Sequence, residues 1–442
     1  MGQNKKKLLN LFYIFITTHL VLWTVVPSLV NQNLPLDTIE ALAWGSNLDW
    51  GFNKHPPLSA FFVDIFFTIF GSQDWAYYFL SQIFVIVAFY FVFKLSYELL
   101  DSIKLSFISV LLLETIYFYN FTTPEFNVNV SQLPFWALTV YFTWRIFNKK
   151  EPKVLDLILL GVFAAAGFLS KYLFLYLLVS IDLLFFYLIF FKKERKFQFT
   201  YLISLEVFLL LLIPHLIWLT NNDFVTITYG LARTGAADFN IINHLVNPFL
   251  FFLKQVGILI PFFFLAYVMT KNLKFKINFK DKKLIFLIFI NIVPLILVLC
   301  TSLFTGSKIR TMWMTPFYLF IGLFAVYILR KNINLKKLNN FIIVFIFLFL
   351  FSPFVYSYVS ISKDNKRTDY PGKQIAQKVQ LEWDQNFDEP IQFVIGDEWK
   401  AGNLSYHLKS RPKWEGFVSN NNILNEAKEY ICIDEICVGT YK

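Results

Sequence analysis

The stretch from Leu34 to Phe62, LPLDTIEALAWGSNLDWGFNKHPPLSAFF, gathers carboxylates, a lysine, a histidine and a proline pair between long apolar runs. From Asp37 to Leu48 the apolar residues recur at helical spacing, and Asp37 and Glu40, three apart, fall on one face. The spacing predicts a short interfacial helix that presents both carboxylates together. Pro56 and Pro57 stop any helix and hold Lys54 and His55 in an extended turn. A second interfacial helix is predicted from Leu58 to Phe70. The whole segment, 31–74, is too long for a tight connection and too amphipathic for a disordered one, so it reads as a structured loop between membrane spans.

Composition agrees with that reading on both sides of the loop. The chain has 442 residues, 57% of them hydrophobic and 20% aromatic, with charged residues at only 16%. A soluble domain of this length could not hide so much apolar surface, so the bilayer is the solvent for most of it. The 55 Phe and 11 Trp suit lipid-facing helices and interfacial belts. Apolar runs of roughly 20 residues, long enough to cross, fall near 8–30, 75–97, 103–121, 128–147, 154–170, 172–191, 199–219, 245–269, 284–304, 312–329 and 339–358. The prediction is therefore a mainly α, polytopic transmembrane bundle of about eleven spans.

Alternating loops sort the basic residues. Lys5 to Lys7, Lys94, Lys104, Arg145 to Lys153, Lys192 to Lys196, Lys271 to Lys283 and Arg330 to Lys337 fall on one side. The other side, up to residue 358, holds only Lys54, Lys171, Arg233, Lys254, Lys308 and Arg310. The positive-inside rule then places the N-terminus in the cytoplasm and the tail outside, in a multi-pass protein of a bacterial inner membrane. MGQNKKK followed by the run Leu8 to Val30 reads as an uncleaved first span, not a signal peptide.

Residues 1–358 form the predicted transmembrane domain, and 359–442 a small extracytoplasmic α/β domain with strand-like runs at Ile391 to Ile395 and Tyr430 to Val438. That tail is slightly acidic, so the membrane part carries the whole formal charge of +10, and nucleic-acid binding is not needed to explain it. Of the three cysteines, Cys432 and Cys437 stand close enough in sequence to close a hairpin, but the spacing alone leaves the disulfide open.

At the residue level the chain resembles a known family. The carriers are Leu36-Asp37-x-x-Glu40-Ala41-x-Ala43-Trp44-Gly45 and Lys54-His55-Pro56-Pro57-Leu58. Support comes from Asn127, Pro134-Phe135-Trp136, Leu169-Ser170-Lys171-Tyr172, Pro214-His215-Leu216-x-Trp218, Asn222-Asp223-Phe224, the stretch Arg310 to Pro316, and Gly396 to Tyr406 in the tail. Together they resemble the GT-C membrane glycosyltransferases, specifically bacterial members of family 39, relatives of protein O-mannosyltransferases and of the lipid A aminoarabinose transferase. One departure stands out: many members have adjacent Asp-Glu in the first loop, whereas Thr38 and Ile39 separate Asp37 from Glu40 here.

The resemblance implies a GT-C bundle that moves a sugar from a polyprenyl-phosphate donor to a hydroxyl of a lipid or glycan acceptor in the envelope, or of a protein, on the periplasmic face. Asp37 would accept the acceptor's proton in an inverting displacement, a contribution of ~10²–10⁴ in rate, with Glu40 as its helper. The leaving phosphate needs cations, for which Lys54, His55, Lys171, Lys308 and Arg310 are the candidates. Arginine offers a planar fork and lysine a point charge. Glu125, Asn127, His215 and Asp223 are candidates for the substrate pocket. A divalent metal on the acidic loop stays open.

Each residue also has a plainer reading. Asp37 and Glu40 would keep an interfacial helix wet, Lys54 and His55 anchor a loop at headgroups, Lys171 snorkel, and Asn127 cap a span. Asp182 and Glu206, inside apolar runs, are not needed by a surface transferase. A transporter or flippase of polyprenyl-linked sugars would use them, but it calls for paired halves with broken helices at the midplane, and no half-to-half similarity is visible. A non-catalytic scaffold would tolerate loss of Asp37. A polymerase or ligase moving whole oligosaccharides would use similar architecture.

Overall fold

The computed structural model describes residues 3–194, 196–235, 240–270, 278–334, 337–416, 420–433 and 435–442. Parts of the predicted basic loops, at 195, 271–277 and 335–336, lie outside these. Among the described residues, seven helices are long and apolar enough to cross a membrane: Gln3–Val30, Asp74–Leu100, Tyr172–Phe191, Phe199–Asn221, Asn243–Val268, Lys282–Thr305 and Leu338–Ser362. Thr311–Tyr318 and Ile321–Leu329 meet at 53° and make an eighth if counted as one bent span.

The other predicted spans fold as shorter pieces, so eleven full-length spans are not what the fold displays. The run 103–121 starts as a helix, Ile103–Leu111, and then tightens into the 3₁₀ turns Leu112–Thr115 and Tyr117–Tyr119. Polar ties break it: Glu114 pairs with His19 of the first span at 2.5 Å, and Asn120 Nδ2 donates to the Glu114 carbonyl at 2.6 Å. The run 128–147 divides at Gln132 into Val128–Ser131 and Leu133–Phe147, with Pro134 at the start of the second helix, where a missing N–H costs nothing. Val154–Ser170 has 17 residues, about 25 Å at 1.5 Å per residue, short of a ~30 Å hydrocarbon core. Asp182 and Glu206 both sit on exposed faces of their helices, not in the bundle interior.

The first loop carries the two predicted short helices, Leu36–Gly45 and Leu58–Phe70. It has a small core of its own: Trp44 stacks on Phe52 with ring centroids 5.6 Å apart and meets His55 edge-on at 5.9 Å. The helix Phe199–Asn221 grips it from the side. There, Trp218 Nε1 donates to Asp49 Oδ2 at 2.7 Å, and Gly51 lies so close to the Trp218 ring that any Cβ would overlap it.

Beyond the last long helix, Gly372–Asn386 and Lys400–His407 pack with a four-stranded sheet of order β2-β1-β4-β3, built from β1 (Phe393–Ile395), β2 (Lys413–Trp414), β3 (Ala427–Ile433) and β4 (Ile436–Tyr441). The pair β1–β2 is parallel, and the others are antiparallel. Cys432 and Cys437 face each other in the β3–β4 register and form the disulfide that spacing left open.

This tail is docked on the first loop. Helix Lys400–His407 lies against Leu36–Gly45, and Gly402 marks the closest approach, since a Cβ there would stand 3.1 Å from Ala43 Cβ and from Ile39 Cγ2. Around it, Asn33 Nδ2 donates to Asn403 Oδ1 at 2.9 Å, Tyr406 Oη to Asp74 Oδ1 at 2.7 Å, and the Trp414 N–H to Ser46 Oγ at 2.9 Å. Arg411 donates to the Leu42 carbonyl and lies 4.3 Å from the Phe67 ring. Gly402→Val must push the two helices apart, which costs about 1–3 kcal/mol as overpacking. We expect a lower thermal midpoint in detergent and faster proteolysis between residues 362 and 372; unchanged resistance would show that the contact is loose.

Candidate active site

Helix Leu36–Gly45 follows Pro35, which offers no side-chain cap. Its first-turn N–H groups therefore need acceptors from elsewhere. The segment after the broken run 103–121 supplies one, Glu125 Oε1, to which the Asp37 N–H donates at 3.0 Å; beside it the Thr38 hydroxyl donates to the Phe126 carbonyl at 3.1 Å and ties the same turn to that segment. Two carboxyls, Asp37 and Glu125, thus meet at the positive end of one short helix. Burial raises both above the usual carboxylate range, Glu125 to about 8. Asp37 raises Glu125 further, and the Asp37 N–H and Asn127 partly offset the effect there.

Four cations act on Asp37 and favour its ionised form: Lys171, Lys54, Arg233 and Arg310. Lys171 sits at the turn between Val154–Ser170 and Tyr172–Phe191, only 3% exposed, with Nζ 2.5 Å from Asn129 Oδ1 and 5.0 Å from the centre of the Trp313 ring. Burial pushes it down to about 7, with Asp37 pulling the other way. Asn129 is oriented by Asn127, whose Oδ1 caps Val128–Ser131 by accepting from the N–H groups of Asn129 and Val130. Arg233 lies in the last turn of the helix Val225–Thr234, and the Lys308 N–H donates to the Thr234 carbonyl at 2.9 Å, which ties that helix end to the loop leading into Arg310.

Glu40 and Lys54 form a second cluster on the same helix. Lys54 Nζ is 2.9 Å from Glu40 Oε1 and also pairs with Glu398 of the tail, all three side chains being less than 20% exposed. Asn53 Nδ2 holds the other Glu398 oxygen at 2.9 Å. Burial raises Glu40 to about 7 despite Lys54. His55 is pushed down to about 3, first by burial and then by Lys171, Lys54 and Arg233, so it stays neutral.

Of the residues singled out from sequence, the structure brings together Asp37, Glu40, Lys54, His55, Glu125, Asn127, Lys171 and Arg310. His215 is buried beside them, but both ring nitrogens are committed: Nε2 to Tyr172 Oη at 2.7 Å and Nδ1 to the Trp50 carbonyl at 2.6 Å. It pins the first loop to a long helix. Asp223 lies exposed at a left-handed turn, and its side chain has no hydrogen bond or ion pair among the described residues. Lys308 is exposed and joins through its backbone. Two residues outside the predicted set belong to the cluster, Arg233 and Glu398. Both stand in outward-facing segments, Arg233 among the sparse outer cations and Glu398 inside the tail motif, and those were their only signals. Among the described residues no three His, Cys, Asp or Glu side chains converge as a metal group. With four cations already acting on Asp37, this donor set does not fit a divalent ion.

A raised carboxyl in the folded state adds stability below its unfolded value, near 4.3, and loses it as pH rises through the folded value, near 8 for Glu125. The thermal midpoint of the wild type is therefore expected to fall more steeply between pH 5 and pH 9 than that of Glu125→Gln. Parallel slopes would remove the burial argument.

Comparison with known proteins bears on the fold. The family model described as dolichyl-phosphate-mannose-protein mannosyltransferase matches residues 54–218. The crystal structure of ArnT from Cupriavidus metallidurans bound to undecaprenyl phosphate aligns with a TM-score of 0.58 at 12% identity, over 90% of this chain and 85% of that one. The apo state of the same protein aligns at 0.57 and 11% identity, over 90% and 84%. Comparison with curated protein sequences gives no match. The chain has the fold of the GT-C membrane glycosyltransferases, and its segment 54–218 carries the sequence pattern of the dolichyl-phosphate-mannose-protein mannosyltransferase family.

Proposed function

We propose that this protein transfers a sugar from a polyprenyl-phosphate donor to a hydroxyl of an envelope acceptor, lipid, glycan or protein, on the periplasmic face of a bacterial inner membrane. The observation that carries the reading is a buried Asp37, held at its helix start by Glu125, that lies within electrostatic reach of Lys171, Lys54, Arg233 and Arg310. A carboxylate beside a set of cations from four separate segments offers a proton acceptor and a phosphate seat within one site. The fold supports it, since a structure of the same fold holds undecaprenyl phosphate.

In the proposed reaction the acceptor oxygen attacks the anomeric carbon from the side opposite the phosphate. The new C–O bond forms as the bond to the phosphate oxygen breaks, which inverts the anomeric centre. Asp37 takes the hydroxyl proton. The polyprenyl phosphate leaves with the bonding pair, and Lys171, Arg233 and Arg310 hold the charge it gains. Lys54, shared between Glu40 and Glu398, enters that seat by exchanging a carboxylate for a phosphate oxygen. Glu125 caps the helix that carries the base, and neutral His55 packs the turn beside it. No step needs a metal.

Asp37→Asn should lower the transfer rate by about 10²–10⁴ while leaving donor binding in place. The check is mass spectrometry of envelope glycolipids and glycoproteins from cells lacking the gene, complemented with either form at equal membrane levels. A sugar mass restored by wild type alone is the expected result and identifies the acceptor; equal restoration by Asp37→Asn would remove Asp37 as base. Glu398→Gln, which leaves Lys54 with one charged partner, should change KM for the donor more than kcat. An equal loss in both would make Glu398 part of the chemical step.

A further inference from the structure

The bundle has a charged cavity at the end away from the Asp37 cluster. Helix Asp74–Leu100 starts beside the first loop and runs for 27 residues, about 40 Å at 1.5 Å per residue. At its far end the Leu99 carbonyl accepts from Lys283 Nζ at 2.7 Å. Beside that contact lies a cavity of about 660 Å³ whose lining includes Lys150, Lys196, Lys282 and Lys283.

The acids of the lining are already engaged. Asp281 accepts from the N–H groups of Lys283 and Leu284, as the cap of its own helix, and from Tyr327 Oη at 2.6 Å. Glu194 pairs with Lys282 at 2.9 Å, and that lysine is 63% exposed, so the pair is weak and exchangeable. Lys150 and Lys196 have no hydrogen bond or ion pair among the described residues. Four lysines against two acids leave the cavity an excess of positive charge that calls for an anion.

The position says which anion. Trp144 closes the end of Leu133–Phe147, Leu188 lies in the last turns of Tyr172–Phe191, and Tyr201 opens Phe199–Asn221. The cavity is thus a gap between helix ends, lined by Trp144, Phe147, Leu188 and Tyr201 beside the lysines, and helix ends rich in aromatic residues are typical of the membrane interface. A lysine-lined gap between span ends takes a phosphate whose apolar chains leave between the helices. We propose that this cleft seats the phosphate of one anionic phospholipid, at a site separate from the Asp37 cluster.

The test is native mass spectrometry of the full-length protein released from micelles doped with equal phosphatidylglycerol and phosphatidylcholine. One phosphatidylglycerol is expected to be retained in preference, and K150Q/K196Q should weaken that retention by about thirtyfold, the scale of two lysine–headgroup contacts. K150R/K196R should restore it. A thermal midpoint raised by phosphatidylglycerol in wild type, and not in K150Q/K196Q, gives the same answer in folded protein. Equal retention of the two lipids, or retention untouched by K150Q/K196Q, overturns the proposal. Full displacement by inorganic phosphate, with no lipid preference, would assign the cleft to a free anion and overturn the lipid reading.

Discussion

A helix that opens on proline cannot satisfy the N–H groups of its first turn from its own sequence. In Leu36–Gly45 the Asp37 N–H finds its acceptor across the fold, in Glu125, and the Thr38 hydroxyl holds the same turn to the Phe126 carbonyl. The requirement fixes where residues 125–129 must run, and Asn127 then sets Asn129, which in turn receives Lys171. One unsatisfied helix end thus organises a carboxyl pair, an asparagine relay and a buried lysine. The buried His19–Glu114 pair serves the same order upstream, because it halts the helix Ile103–Leu111 early and frees the following residues to turn back toward the first loop.

Charge in the cluster is divided between two states of neutralisation. Lys54 is nearly spent, held by Glu40 and Glu398 together. Lys171 has only a neutral partner and an aromatic face, while Arg233 and Arg310 are exposed. An arriving phosphate would therefore meet the arginines and Lys171 without displacing a carboxylate, and would reach Lys54 only by competition. Such an arrangement favours a ligand that stays dianionic or gains charge as it leaves, because the last cation joins most readily when the phosphate charge is greatest.

Much of this was legible in the sequence for identifiable reasons. The short helix carrying Asp37 and Glu40, and the proline turn with Lys54 and His55, follow from spacing and from proline's lost N–H. The span count was less legible, because hydropathy registers apolar content and not continuity. Residues 103–121 are apolar on average, yet a single acid within them, Glu114, finds its partner His19 in another helix, and that pair decides where their helix stops. His215 carried a sugar-pocket expectation from its motif, but Tyr172 and the Trp50 carbonyl take its two nitrogens, and no spacing rule foretells such long-range partners. Arg233 and Glu398 escaped for the same reason: each joins the cluster only through tertiary contact.

The tail is the least expected part of the site, and its packing makes it hard to treat as an accessory. Gly402 lets its helix approach Leu36–Gly45 at backbone range, Arg411 and Trp414 hydrogen-bond to the far end of that same helix, and Glu398 reaches Lys54. The short helix is therefore fixed at its start by the membrane bundle, through Glu125, and along its flank by the tail. Ten residues are too few for an isolated helix to be stable in water, so Asp37 owes its position to both supports at once. In the proposed reaction, a carboxylate fixed from both sides in this way would face its acceptor without having to be repositioned when substrate arrives.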